Sequence, residues 1–199
     1  MQQLYAISDE ILTPYSTIHS QLEAALCAGV SIFQLRDKTH TDSEIAPLVS
    51  ELSSLCHHFN ARFVLNDRYE LACKLGVGVH LGKDELYKLN PNESANLPYL
   101  GISCYDSLQK AQQAKMLGAD YIAFGSCFDS PTKPAAVRAP LALFAQALPL
   151  GIPLCAIGGI TPENAKFLKN ADMLAVITAL WRGDIAQNVA KLLEAMRAD

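Results

Sequence analysis

The chain has 199 residues, of which 50% are hydrophobic and only 18% charged, enough apolar material for one packed core and too much for bulk disorder. Sixteen Lys and Arg against twenty Asp and Glu leave a net charge of -4, which removes the global electrostatic case for nucleic acid or an anionic membrane as partner. No apolar run approaches the ~20 residues of a membrane helix, and residues 1–9 have neither a basic region nor a long apolar core, so they do not read as a secretory signal.

In chain order, short apolar runs predict strands at residues 4–7, 31–36, 62–67, 78–82, 99–104, 121–125, 153–159 and 173–178. Most are continuously apolar rather than alternating, the pattern of parallel strands covered on both faces. Helical patterning fills the intervals. Thr41-Asp42-Ser43-Glu44 has the form of a capping box and leads into an apolar stripe of Ile45, Leu48, Val49, Leu52, Leu55 and Phe59. Gly29, Gly76 and Gly118 fall where helices should end. A short helical segment is expected around residues 83–88, followed by a loop at 90–93. Asp106 reads as the cap of a helix starting at Ser107, and Thr161-Pro162 as a cap followed by a proline in the first helical position. Asp184 should cap the last helix, with Ile185, Val189, Leu192, Leu193 and Met196 on its buried face.

Strand and helix therefore alternate through one domain spanning residues 1–199. The expected fold is α/β, a single compact (β/α)8 TIM barrel. An open doubly wound sheet is the alternative, but no G-x-G-x-x-G follows the first strand. The six cysteines, Cys27, Cys56, Cys73, Cys104, Cys127 and Cys155, contain no C-x-x-C pair. They read as reduced thiols, mostly in the core, and so as a cytoplasmic protein.

Function in a barrel collects at the C-terminal ends of its strands. The second strand ends Gln34-Leu35-Arg36-Asp37-Lys38. Gln34 and Arg36, two apart, share a face, and an Arg in a barrel mouth calls for an anion because an unpaired buried charge is too costly. That anion is a ligand phosphate or an internal carboxylate such as Asp67. The third and fourth strands end Asn66-Asp67-Arg68 and His80-Leu81-Gly82-Lys83-Asp84-Glu85. Their carboxylates either share a hard cation or, for Asp84 and Glu85, favour a helix start. Ser103 at the end of the fifth strand can donate to a phosphate, whereas Cys104 has no evident base to activate it. The loop Gly125-Ser126-Cys127-Phe128-Asp129-Ser130-Pro131-Thr132-Lys133 closes over a ligand or is an ordinary surface loop. Gly158-Gly159 after the seventh strand, with Ile177-Thr178 after the eighth, falls at the usual phosphate site of this fold. Two anion sites facing one mouth suit the joining of two phosphorylated substrates.

Together these residues resemble the thiamine phosphate synthase family over essentially the whole chain. The carriers are Gln34-Leu35-Arg36-Asp37-Lys38, Asn66-Asp67, His80-Leu81-Gly82, Ser103, Phe128-Asp129-Ser130-Pro131-Thr132-Lys133 and Ala156-Ile157-Gly158-Gly159-Ile160, in order and each at a strand end. The resemblance implies a transferase that joins 4-amino-5-hydroxymethyl-2-methylpyrimidine diphosphate to a thiazole phosphate. It implies Gln34, Arg36, Lys38, Asn66, Ser103 and Lys133 around the pyrimidine diphosphate, with Arg36, Lys38, Lys133 and Ser103 as the catalytic candidates. Ser130, Thr132, Gly159, Ile177 and Thr178 would hold the thiazole phosphate. Mg²⁺ is the implied cofactor, with Asp67 as one ligand and Glu85, or its neighbour Asp84, as the second. The family usually carries Gln-(Glu/Asp)-Asp where this chain has Lys83-Asp84-Glu85. Partners are expected to be small phosphorylated molecules, with no nucleic acid and no membrane, and a homo-oligomer is compatible. The closest rival is a thiazole tautomerase, which should lack the Ser/Thr-x-Thr-Lys loop and carry a His where this chain has Cys104-Tyr105. A non-catalytic sensor of thiamine precursors is the rival of a different class.

Overall fold

A computed structural model describes residues 2–82, 89, 97–129 and 137–197. The strands are β1 (Gln3–Ile7), β2 (Ile32–Leu35), β3 (Arg62–Asn66), β4 (Gly78–Leu81), β5 (Leu100–Tyr105), β6 (Tyr121–Phe124), β7 (Leu154–Ile157) and β8 (Met173–Val176). All neighbours pair in parallel and in sequence order, and β8 returns to β1, with Gln3 opposite Met173, so the barrel closes. Closure excludes the open sheet. Every strand predicted from the sequence is present; β2, β3, β4, β6, β7 and β8 are shorter than expected, β5 is shifted by one residue and β1 is longer by one.

The continuous apolar strands have the expected cause. Leu4 and Ala6 of β1 pack outward into the main core beneath the helices, whereas Tyr5 and Ile7 point into the barrel with Ile32, Val64, Tyr121, Ala123, Cys155, Met173 and Ala175. Both faces are buried, so both alternating sets are apolar. Burying one such aliphatic side chain is worth roughly 1.5–3 kcal/mol.

The helices are α1 (Ile18–Ala28), α2 (Asp42–His58), α3 (Tyr69–Leu75), α4 (Leu108–Met116), α5 (Ala142–Ala147), α6 (Thr178–Trp181) and α7 (Ile185–Arg197). The capping box of α2 forms as read: Thr41 accepts from the Glu44 backbone N–H, and the Glu44 carboxylate accepts from the Thr41 N–H at 2.8 Å. Gly29 and Gly76 end α1 and α3 in the left-handed conformation. Gly118 lies one residue beyond the cap of α4, Leu117. Asp184 caps α7 through the Gln187 N–H at 3.0 Å, and Val189 and Leu192 bury completely.

Two helix starts differ from expectation. Ser107, not Asp106, caps α4: Tyr105 ends β5 with φ of 55°, and the Ser107 hydroxyl then accepts from the Lys110 N–H at 3.2 Å. After Thr161-Pro162 there is only a turn and a 3-10 segment, Ala165–Leu168. Asn164 bonds the Thr161 N–H and the Gly159 carbonyl, both at 2.9 Å, and so offers the backbone a local alternative to a helix. The expected segment at 83–88 and loop at 90–93 lie outside the described residues.

Gly101 admits the inward Tyr121. A Cβ on Gly101 would stand 2.1 Å from Tyr121 Cζ, and Tyr121 is fully buried with no room to retreat. Gly101→Ala is expected to cost about 1–3 kcal/mol as overpacking, read as a lower midpoint in a urea unfolding titration. An unchanged midpoint would mean that the inner layer yields.

Candidate active site

A cavity of about 640 Å³ opens at the C-terminal ends of the strands, within the range of small-ligand sites. Gln34, Arg36, Asn66, Ser103, Gly158 and Ile177 all line it. Residues distant in the chain thus meet in one mouth, as the strand-end reading requires. Arg36 lies just past β2 and also lines a smaller adjoining pocket of about 300 Å³ with Ser8, Asp37 and His40. Its backbone is clipped to Ser8, just past β1, the Ser8 hydroxyl accepting from the Arg36 N–H at 2.7 Å. Among the described residues no carboxylate pairs with Arg36.

The internal pair that the sequence left open for Arg36 belongs to its neighbour. Lys38 Nζ lies 3.6 Å from Asp67 Oδ2, with both side chains partly exposed. Such a pair is weak in solvent, so Lys38 is easily recruited by a stronger anion. Asp67 follows β3 with φ of 63°. Its Oδ1 accepts from the Gly82 N–H at 3.1 Å and its Oδ2 from Asn66 Nδ2 at 2.7 Å. Two hydrogen bonds leave acceptor capacity on both oxygens. A hard oxygen donor held this way fits Mg²⁺. The expected second ligand, Glu85 or Asp84, lies outside the described residues, as do Ser130, Thr132 and Lys133. Among the described residues no cluster of three His, Cys, Asp or Glu forms.

Gly159 and Thr178 adjoin the lining residues Gly158 and Ile177. Thr178 opens the one-turn helix α6. Gly158 and Gly159 have φ of 104° and 62°, and a Cβ on either would stand 2.2 Å from the Ser126 hydroxyl or the Asp129 carbonyl. No other residue type lets β7 pass so close to the segment after β6.

Two features escaped the sequence reading. Asp37 is buried at 6% exposure and gathers Tyr15 Oη at 2.7 Å, His40 Nδ1 at 2.8 Å, the His40 N–H at 2.8 Å and Arg68 Nη2 at 3.0 Å. Burial opposes its ionisation, but the hydrogen bonds from His40, Tyr15 and Thr39 outweigh it and hold the carboxyl well below the usual range. Asp37 therefore anchors the segment that carries Arg36 and Lys38. The second feature is a chain of hydrogen bonds along the cavity floor, in which only Tyr121 does not line the cavity. Gln34 Nε2 donates to Tyr5 Oη at 2.7 Å, Tyr5 Oη meets Tyr121 Oη at 2.8 Å, Tyr121 Oη meets His80 Nδ1 at 2.9 Å, and His80 Nε2 meets Ser103 Oγ at 2.8 Å. The His80 ring is half-buried and borders the cavity. Burial pushes its pKa down to about 4, against the pull of Asp67, so it is neutral at pH 7. The period-two alternation of β1 was the only available signal for Tyr5.

Cys104 is buried and burial pushes its thiol up to about 12, which agrees with its exclusion as a nucleophile. No disulfide joins any of the six cysteines; Cys27 is exposed and Cys73 half-buried. Among the described residues no helix is long and apolar enough to cross a membrane.

A family model described as thiamine monophosphate synthase matches residues 4–180. The chain belongs to the thiamine monophosphate synthase family. Membership makes it an enzyme, a transferase of thiamine biosynthesis. It is 46% identical to the thiamine-phosphate synthase of Wolinella succinogenes, over 99% of this chain and 95% of that one. With the thiamine-phosphate synthase of Marinobacter nauticus it shares 43% identity over 90% of this chain and 83% of the relative. The thiamine phosphate pyrophosphorylase of Pyrococcus furiosus superposes with a TM-score of 0.84 at 29% identity, covering 98% of this chain and 95% of that structure.

Proposed function

We propose that the chain condenses 4-amino-5-hydroxymethyl-2-methylpyrimidine diphosphate with a thiazole phosphate, giving thiamine phosphate and diphosphate by a dissociative route. The observation that carries this reading is the meeting of Gln34, Arg36, Asn66 and Ser103 with Gly158 and Ile177 around one cavity of about 640 Å³, in a chain of this family. Gln34 and Asn66 offer amides to orient the pyrimidine. Arg36 and Lys38, with Lys133 from the loop after β6, supply charge to the departing diphosphate, and Ser103 supplies a hydrogen bond. Diphosphate leaves first, and the thiazole nitrogen traps the electron-rich pyrimidine methylene cation. Ser130, Thr132, Gly159, Ile177 and Thr178 would hold the thiazole phosphate so that its nitrogen faces that carbon, while the barrel mouth excludes competing water. No protein nucleophile is needed. Asp67, with Glu85 or Asp84, would hold Mg²⁺, which neutralises charge on the diphosphate oxygens when bound. The reduced thiols of such an enzyme belong in the cytoplasm.

The test is a coupled assay of purified protein with both phosphorylated substrates, with and without Mg²⁺, quantifying diphosphate and thiamine phosphate. Equal, Mg²⁺-dependent formation of both is expected. Isomerisation of the thiazole carboxylate phosphate without thiamine phosphate would replace the reading with a tautomerase.

Asp67→Asn keeps the shape of the side chain and removes its charge. It is expected to raise the half-saturating Mg²⁺ concentration by ~10-fold or more, at least the scale of losing a partner that only supports a ligand. A Mg²⁺ titration of turnover that matches the unsubstituted enzyme would remove Asp67 from the ligand set.

A further inference from the structure

The chain of hydrogen bonds along the cavity floor has a direction, set at its far end. Gln34 Nε2 is a donor only, so Tyr5 Oη accepts there at 2.7 Å. Only one proton can lie in the 2.8 Å contact between Tyr5 and Tyr121. If Tyr5 supplies it, the Tyr121 proton goes to His80 Nδ1 at 2.9 Å. A neutral imidazole that accepts at Nδ1 carries its proton on Nε2. That proton goes to Ser103 Oγ at 2.8 Å. The Ser103 proton is then left pointing away from His80, on a side chain that lines the cavity.

The reverse order is physically inferior. Tyr121 would donate to Tyr5, His80 Nδ1 would donate to Tyr121, and Ser103 would donate to His80. The Tyr5 proton would then need the Gln34 amide to turn its Oε1 toward Tyr5, which gives up the 2.7 Å bond that Nε2 donates. Tyr5 is 1% exposed where it borders the cavity and Tyr121 is fully buried, so a lost partner in this chain is costly.

We infer that Tyr5, Tyr121 and His80 are positioning residues that lock His80 as the Nε2–H tautomer and so commit the Ser103 hydroxyl to donate into the cavity. Phosphate oxygens only accept, so this polarity selects for an anionic group above Ser103 and against a group that donates. The functional part rests on the proposed synthase reading, because it assigns the acceptor to the diphosphate of the pyrimidine substrate. Tyr121 itself does not line the cavity. Its influence on catalysis must pass through His80 and Ser103.

Two measurements test this. The first is long-range 15N–1H correlation on histidine-labelled full-length protein at pH 7, with the His80 signals assigned by their loss in His80→Gln. The neutral Nε2–H pattern is expected, and the Nδ1–H pattern would overturn the proposal. This reading needs no turnover, so it stands apart from success or failure of the synthase assay. The second is a double-mutant cycle on turnover with Tyr121→Phe and Ser103→Ala. Tyr121→Phe alone is expected to lower kcat by ~10-fold, the scale of one hydrogen bond to a reacting group. In the Ser103→Ala background the same substitution should have almost no effect. Equal effects in both backgrounds would show that Tyr121 serves the fold rather than Ser103, and would overturn the relay.

Discussion

Replacing Arg36 with alanine is expected to lower turnover by ~100-fold or more, the loss that follows removal of one preorganised donor to transition-state charge. The guanidinium lines the main cavity and has no carboxylate partner among the described residues, so its charge is available to a ligand. A ground-state salt bridge would have to be broken before the charge could serve a leaving group, and none is formed among the described residues. Lys38 differs, because it spends part of its charge on Asp67 at 3.6 Å. Lys133→Ala should produce a loss of the same order if the loop after β6 closes on the diphosphate. The measurement is kcat at saturating substrates and Mg²⁺, with a thermal melt to verify folding. Turnover near that of the unsubstituted enzyme in both variants would remove the diphosphate site from this end of the barrel.

The second large effect concerns stability rather than chemistry. Asp37→Ala should destabilise the protein by about 3–5 kcal/mol, the cost of breaking a buried ion pair and leaving its partner uncompensated. The Arg68 side chain, 15% exposed, keeps Asp42 as a second partner at 2.6 Å, which moves the expectation toward the lower end. The pH dependence has a definite sign. The folded carboxyl titrates below its unfolded value of ~3.9, so its contribution is present above that pH and is lost as pH falls below it. Urea midpoints of the two proteins should therefore differ most near pH 7 and converge below pH ~4. A constant difference across that window would show that packing, not the carboxylate, holds the segment. Because Asp37 lies between Arg36 and Lys38, loss of its anchor should also loosen both cations.

The barrel itself was legible because burial on both faces writes a local signature. Each strand reads as a short apolar run, and each boundary falls near a cap or a glycine. The places where the reading ran long are strand ends. Arg36 and Asp67 were read as the last residues of strands, yet β2 stops at Leu35 and β3 at Asn66. Polar residues at the mouth must leave the ladder to reach a ligand, and nothing local marks the residue at which they do. The turn after Thr161 was misread for a related reason: Asn164 competes for the backbone through its side chain, which a cap-and-proline pattern does not reveal.

The alternation of strand and helix, the capping of α2, and the set of polar residues that the strand ends could present are all written locally in the chain. Those are short-range properties, fixed by periodicity and by neighbours within a turn. Which groups meet depends on the closed barrel: Lys38 rather than Arg36 beside Asp67, Asp37 buried against Arg68, and a relay from Gln34 to Ser103. The central link of that relay joins Tyr5 to Tyr121 across 116 positions of the chain. A contact of that kind depends on barrel closure and on the space left by Gly101, and neither leaves a mark in any local stretch of residues.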